Sequence, residues 1–288
     1  MIKLLRGEFI RLFKSVIFWL GAIFMFVYSL LCVYIKWSDG ALNYYLGSNL
    51  LFEGTMFIGI VIAVFIGIFI GSDYKDGTIR NKFIVGHTRI SIYLSNLIIC
   101  IAASLMIHII WLAVILSAEK IGLTPKSDTT DIKILTFMLI SFVSVAAFDA
   151  IFLLICMLIT SNMASSVTVL GLSFLMLMVT PMIDIELHQP EYYKGYSYMV
   201  TDSDGNTYEE YQQGEKNAGY VDGVQRKFYK FIYDFLPQGQ ITQLRDEVSG
   251  AATEDWQADK AEFPLYSLSL IVVTTATGVL LFRRKDLK

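Results

Sequence analysis

The chain has 288 residues, 55% hydrophobic and 17% charged, with 23 Lys and Arg against 26 Asp and Glu and a formal charge of −3. Soluble domains carry nearer 25% charge, so this balance excludes an ordinary soluble enzyme, and no nucleic-acid partner is expected. The three cysteines, Cys32, Cys100 and Cys156, all fall in apolar stretches, which argues against a disulfide framework or a zinc site.

The first 14 residues predict an amphipathic helix. Ile2, Leu5, Phe9, Leu12, Phe13 and Val16 recur at spacings of three and four, while Lys3, Arg6, Glu8, Arg11 and Lys14 decorate the remainder. It is expected to lie along the inner membrane surface, the alternative being a first span with a charged collar. The apolar run behind it is about 20 residues long and no A-x-A site follows, so it reads as a retained span and not a cleaved signal.

Six stretches are apolar enough to cross a bilayer: Val16 to Ile35, Thr55 to Ser72, Ile92 to Leu116, Ile134 to Thr160, Ser165 to Ile183 and Pro264 to Phe282. About 20 helical residues cross a hydrocarbon core of about 30 Å, and only helices or closed barrels satisfy their backbone there. The expected fold class is an all-α polytopic membrane protein. It would comprise six transmembrane helices, an N-terminal interfacial helix and a small extracellular α+β insertion between spans five and six. That divides the chain into 1–183 (spans one to five, with a cytoplasmic loop at 73–91), 184–263 (the extracellular loop) and 264–288 (span six and a basic tail). Lys and Arg concentrate before span one, between spans two and three and after span six, which predicts both termini in the cytoplasm of a multi-pass plasma-membrane protein.

In span two, Gly59, Ala63, Gly67 and Gly71 fall at four-residue intervals. Such a stripe lets two helix backbones approach closely, either within the subunit or between subunits. Behind it comes the polar run Asp73-Tyr74-Lys75-Asp76-Gly77-Thr78-Ile79-Arg80-Asn81-Lys82-Phe83. Asp73 or Asp76 is expected to cap a short helix, Gly77 to permit a tight turn, and Arg80 with Lys82 to project toward cytosol or headgroups. A plain solvated turn is the alternative.

His108 lies deep in span three and Asp149 in span four. An ionisable group in hydrocarbon is costly unless it is paired or wetted, so the two are candidates for a polar pair or a hydrated translocation path. The structural alternative is a buried hydrogen-bonded histidine, with the carboxyl bonded to a neighbouring Ser or Asn.

The stretch 184–263 carries seven basic and sixteen acidic residues, a formal charge of −9. Ser197 to Thr201 and Thr207 to Tyr211 flank Asp202-Ser203-Asp204-Gly205-Asn206 and predict a β-hairpin with an Asp-Gly turn. A calcium loop is disfavoured, because glycine stands fourth and not sixth in that run and Gln213 occupies the twelfth position. Val224, Phe228, Phe231, Ile232 and Phe235 mark an amphipathic helix ending at Pro237, and a second short helix is expected from Gln240 to Val248. Both are expected to pack over the outer ends of the spans.

The basic start with Glu8, Arg11 and Phe18-Trp19, the six spans, the run Asp73 to Asn81 and the ending Phe282-Arg283-Arg284-Lys285-Asp286-Leu287-Lys288 together resemble a type-2 ABC exporter permease. Gly77-Thr78-Ile79-Arg80 is the most specific match. The resemblance implies that Asp73 to Arg89 is a coupling element docking into a separate ATPase subunit, that a second permease subunit faces this one, and that the loop helices act as an external gate. No G-x-x-x-x-G-K-[ST] occurs, so no cofactor is expected on this chain, and ATP with Mg would sit on the partner. The chain would be no enzyme itself: H-E-x-x-H and G-x-S-x-G are absent as well. Peptides, drugs or lipid-like amphiphiles are the expected cargo. The second class considered is a non-transporting immunity or sensor protein whose acidic loop binds a cationic antimicrobial peptide.

Overall fold

Backbone groups in hydrocarbon must be satisfied within their own segment. The computed structural model, which describes residues 1–38, 50–125, 129–201, 207–249 and 260–285, is accordingly built mostly of helices. They are α1 (Ile2–Lys14), α2 (Val16–Trp37), α3 (Ile58–Lys75), α4 (Thr78–Ile84), α5 (Arg89–Lys120), α6 (Asp131–Leu158), α7 (Asn162–His188), α8 (Gly223–Phe235), α9 (Pro237–Ser249) and α10 (Phe263–Arg284). Six of these, α2, α3, α5, α6, α7 and α10, are long and apolar enough to cross a membrane, so the chain is a multi-pass membrane protein. Several outrun their predicted apolar cores: α5 has 32 residues and α7 has 27, because polar ends such as Asp184 and His188 find partners beyond the apolar stretch.

The hub is α6, which touches α3, α5, α7, α9 and α10. Phe148, Phe152, Leu153 and Met157 of α6 are fully buried, as is Trp111 of α5. Trp111 donates its indole N–H to the carbonyl of Leu51 (2.9 Å), pinning the stretch before the 3-10 turn Gly54–Phe57 to the bundle. The end of the bundle bearing α1, α4 and Lys285 is called proximal below, and the end bearing that 3-10 turn, α8 and α9 distal.

Between α7 and α8 the chain forms one antiparallel ribbon, β1 (Tyr196–Thr201) and β2 (Thr207–Gln212), in the register Tyr196↔Gln212 to Thr201↔Thr207. The Asp-Gly turn proposed to close it lies outside the described residues. Below the strands the ribbon continues through bonds from Tyr193 N to Glu215 O and from Asn217 N to Glu191 O, both 2.9 Å.

Two expectations change in the structure. Helix α9 packs against α6 and α7 at the distal end, but not on an apolar face alone. It begins at Pro237, and Gln238, Gln240, Thr242 and Gln243 are all buried alongside Ile241 and Leu244. Burial is tolerated because most of the polar groups are bonded, Gln243 Oε1 being the exception: Gln240 Oε1 accepts from Ser144 of α6 and Ser267 of α10, both at 2.7 Å, and its Nε2 donates to Asp234 O. In α8 the predicted apolar face is mostly outward, since Val224, Phe228 and Phe231 are exposed while Tyr233 and Asp234 are buried. Helix α1 turns Leu4, Glu8 and Leu12 inward, while Ile2 and Phe13 of its apolar set stay exposed.

Candidate functional site

The proximal elbow between α3 and α5 is where chemistry-bearing side chains converge. Helix α3 runs through Asp73 and Tyr74 to Lys75. The chain then reverses at Gly77, whose φ of 65° lies in the left-handed region that glycine occupies without penalty, and α4 follows. Gly77 itself is the N-cap, and no side chain caps α4. Asp73 and Asp76 therefore do not cap α4, although Asp76 stands at the C-cap of α3. Asp73 is instead buried within the last turn of α3, while Lys75, Asp76, Arg80 and Asn81 lie toward the surface and Ile79 is buried.

Asp73 belongs to a net of four charges contributed by three helices. Its carboxylate pairs with Arg11 of α1 and, at 2.9 Å, with Lys82 of α4. Glu8 of α1 holds the same two cations, Arg11 at 2.8 Å and Lys82 at 2.5 Å. Both carboxylate residues are 3% exposed or less, so each depends on its partners for stabilisation. The Arg11 guanidinium also lies 3.9 Å above the centre of the Phe69 ring, which adds a cation–π contact. Burial pushes the Arg11 and Lys82 pKa values below their ordinary ranges, and Glu8 opposes the shift at both. Lys82, expected to project outward, points inward because two carboxylates await it there; Arg80 remains outward as predicted.

The other side of the elbow is tied to the C-terminal end of α10. Arg89 Nη1 donates to the carbonyls of Phe282 (3.1 Å), Arg283 (3.0 Å) and Lys285 at the end of α10, where intrahelical donors run out. Lys285 Nζ donates to Met157 O at the end of α6 (2.7 Å) and to Tyr74 Oη (2.9 Å), and Tyr74 donates to the same Met157 carbonyl (2.6 Å). Burial lowers the Lys285 pKa to about 8. Sequence reasoning placed Arg89 at the end of the expected coupling element and Lys285 in the basic tail, and no motif announces their capping contacts. A signal did exist for Glu8: it is the one acid among the basic residues of α1, three positions before Arg11.

The small-residue stripe of α3 packs within the chain. A Cβ at Gly67 would come 2.9 Å from Ser166 Cα, one at Gly71 would collide with the Asn162 carboxamide, and one at Gly59 would meet Ser173 and Phe148 at 3.2–3.3 Å, with Ala63 buried between them. Asn162, Ser166 and Ser173 all lie on α7, so the α3–α7 contact fills the stripe.

Asp149 and His108 are fully buried in the seam between α6 and α5, and they do not pair with each other. Ser104 donates to Asp149 Oδ1 at 2.7 Å, and His108 Nε2 meets Ser141 Oγ at 3.0 Å. Among the described residues, no group of three or more His, Cys, Asp or Glu is placed to hold a metal ion. The fold and this site define a helical multi-pass membrane protein whose proximal elbow is bolted to both ends of the described chain. In comparisons with models of protein families and with curated proteins, nothing matches the chain.

Proposed function

We propose that the chain is the permease subunit of an ATP-driven exporter, with the elbow at 73–89 receiving mechanical work from a separate ATPase subunit. The observation that carries this reading is the four-charge net. A push on α4 reaches Lys82, and through Glu8 and Asp73 it acts on α1 and α3 together. Because α3 is packed against α7 at Gly67 and Gly71, both helices move as one block. The tip of the elbow supports a partner contact: Phe83, Ile84 and Val85 are exposed beside Arg80 and Asn81, an apolar centre with a polar rim. The resemblance in Gly77-Thr78-Ile79-Arg80 points the same way.

In this reading the protein sits in the plasma membrane with both termini and the elbow in the cytoplasm. Helix α1 lies at the inner surface with Ile2 and Phe13 toward lipid, and the ribbon with α8 and α9 is the extracellular insertion. The chain binds no cofactor and is not an enzyme; ATP and Mg belong to the partner. A second permease subunit, the same or related, completes the conduit, and amphipathic peptides, drugs or lipid-like molecules are the cargo. The test is whether Mg-dependent ATP hydrolysis co-purifies with the chain from native membranes. Activity that falls at least tenfold when Arg80 and Ile84 are both replaced supports the proposal, whereas a folded chain with no associated ATPase sinks it.

The ribbon favours a second reading, a non-transporting protein that sequesters a cationic peptide. Tyr196, Tyr211 and Met199 are exposed on it, and Glu209 and Glu210 lie in the same strand pair. Deleting residues 196–212 distinguishes the two: peptide resistance lost without any ATP dependence selects sequestration.

A further inference from the structure

Asp149 is the single Asp, Glu, Lys or Arg within the six apolar stretches of the sequence. It stands at the fully buried seam of α5 and α6, and its surroundings are unequal to a charge. One oxygen, Oδ1, accepts from Ser104 at 2.7 Å; the other, Oδ2, is buried with no hydrogen-bond partner among the described residues. No Lys, Arg or His among the described residues lies within ion-pair distance. An ionised carboxylate accepts several hydrogen bonds or a cation when it is buried, and this one has a single neutral donor.

The groups facing it from each packed element complete the argument. From α5 comes Cys100, close enough to interact electrostatically, and α6 itself contributes Cys156 near the same thiol. Helices α3, α7 and α10 place no Asp, Glu, Lys, Arg or His between positions 58 and 72, 163 and 183, or 264 and 282. The charged residues of α9 are engaged elsewhere, Arg245 with Asp246 and Glu247 with Lys133 and Lys260. At the proximal end, Arg11 and Lys82 are held by Glu8 and Asp73. His108, on the distal side, is turned to Ser141.

We infer that Asp149 and Ser104 form a proton-binding site inside the bundle, with the proton on Oδ2 and the Ser104 hydroxyl bonded to the carbonyl oxygen Oδ1. The ligand is a proton, taken from water and returned to it, so the exchange requires water to enter the α5–α6 seam. Proton occupancy then favours the packed seam, and an opened, hydrated seam releases the proton. The inference is independent of the ATP-driven reading, because it concerns the chain by itself.

Infrared difference spectroscopy on the purified full chain in lipid nanodiscs tests it. At pH 8 the wild type should show a protonated carboxylic acid carbonyl band that is missing in Asp149→Asn. In Ser104→Ala the same band should move to higher frequency, since the carbonyl loses its hydrogen bond. If Asp149→Asn does not fold, the Ser104→Ala shift decides alone. A wild-type spectrum without the band, or one that neither substitution alters, overturns the inference.

Discussion

Glu8 and Asp73 divide two cations between them, and that sharing makes each replaceable only at a cost. Removing one carboxylate leaves Arg11 and Lys82 with a single counter-charge in a mostly buried site, so Asp73→Asn should destabilise the chain by about 3 kcal/mol. A chemical-denaturation or thermal scan in detergent reads this, and a loss below about 1 kcal/mol would show that the net is solvent-relaxed. At the other flank, Lys285 carries a pKa of about 8 in the fold against 10.5 in the unfolded chain. The unfolded state then binds more protons between those values, so the Lys285 contribution to stability rises as pH climbs from 8 to 10.5 and is at its least below 8. Thermal midpoints of the wild type relative to Lys285→Gln should therefore improve from about pH 7.5 to about pH 10; a constant difference would contradict the assigned burial. What sequence could tell about these residues was uneven. The run from Asp73 to Lys82 was legible as polar and structured, and Gly77 as its turn. Inward or outward orientation of Lys82 was not, because it depends on Glu8, far earlier in the chain.

At the scale of elements, the six spans were legible because a bilayer imposes length and apolarity directly on sequence. The stripe at Gly59, Ala63, Gly67 and Gly71 was legible as a packing surface, though its partner was not, since spacing says nothing of which helix arrives. Ser166 Cα stands only 2.9 Å from where a methyl at position 67 would fall, so Gly67→Ala must move backbone. We expect Gly67→Ala to cost about 2 kcal/mol and Gly59→Ala under about 1 kcal/mol, measured as shifts in thermal unfolding. The reverse order would mean that α7 does not seat on this stripe. Helix α9 was expected to pack, but its buried polar side was not legible, because nothing in the sequence links Gln240 to Ser144 of α6 and Ser267 of α10, or Gln243 to Asp234 of α8. Gln240→Ala strands the Ser267 hydroxyl, which donates to Gln240, and should destabilise by about 1–3 kcal/mol; the double replacement with Ser267→Ala should lose less than the sum. Additive losses would show that the two do not interact.

For the whole molecule, the two ends of the described chain meet at one place. Helix α1 grips the elbow through Glu8 and Arg11, and the last turn of α10 grips it through Arg89 and Tyr74. Under the proposed function, an elbow fixed on both flanks would serve as a lever, handing motion imposed at α4 to α3 and α7 on one side and to α6 and α10 on the other. Long-range closure of this kind leaves no local pattern, which is why the sequence named the elbow but not what holds it.

The lever claim is tested most directly at Asn81, which is exposed on α4. Cys32, Cys100 and Cys156 are all buried, so Asn81→Cys supplies a thiol accessible in the folded chain. With a short maleimide–diazirine reagent attached at position 81 and photolysed on native membranes, the account predicts a cross-link to a nucleotide-hydrolysing subunit, with labelling of position 81 only once the membrane is made permeable. A residue 81 that reacts from outside intact cells, or that never joins such a subunit, would contradict it.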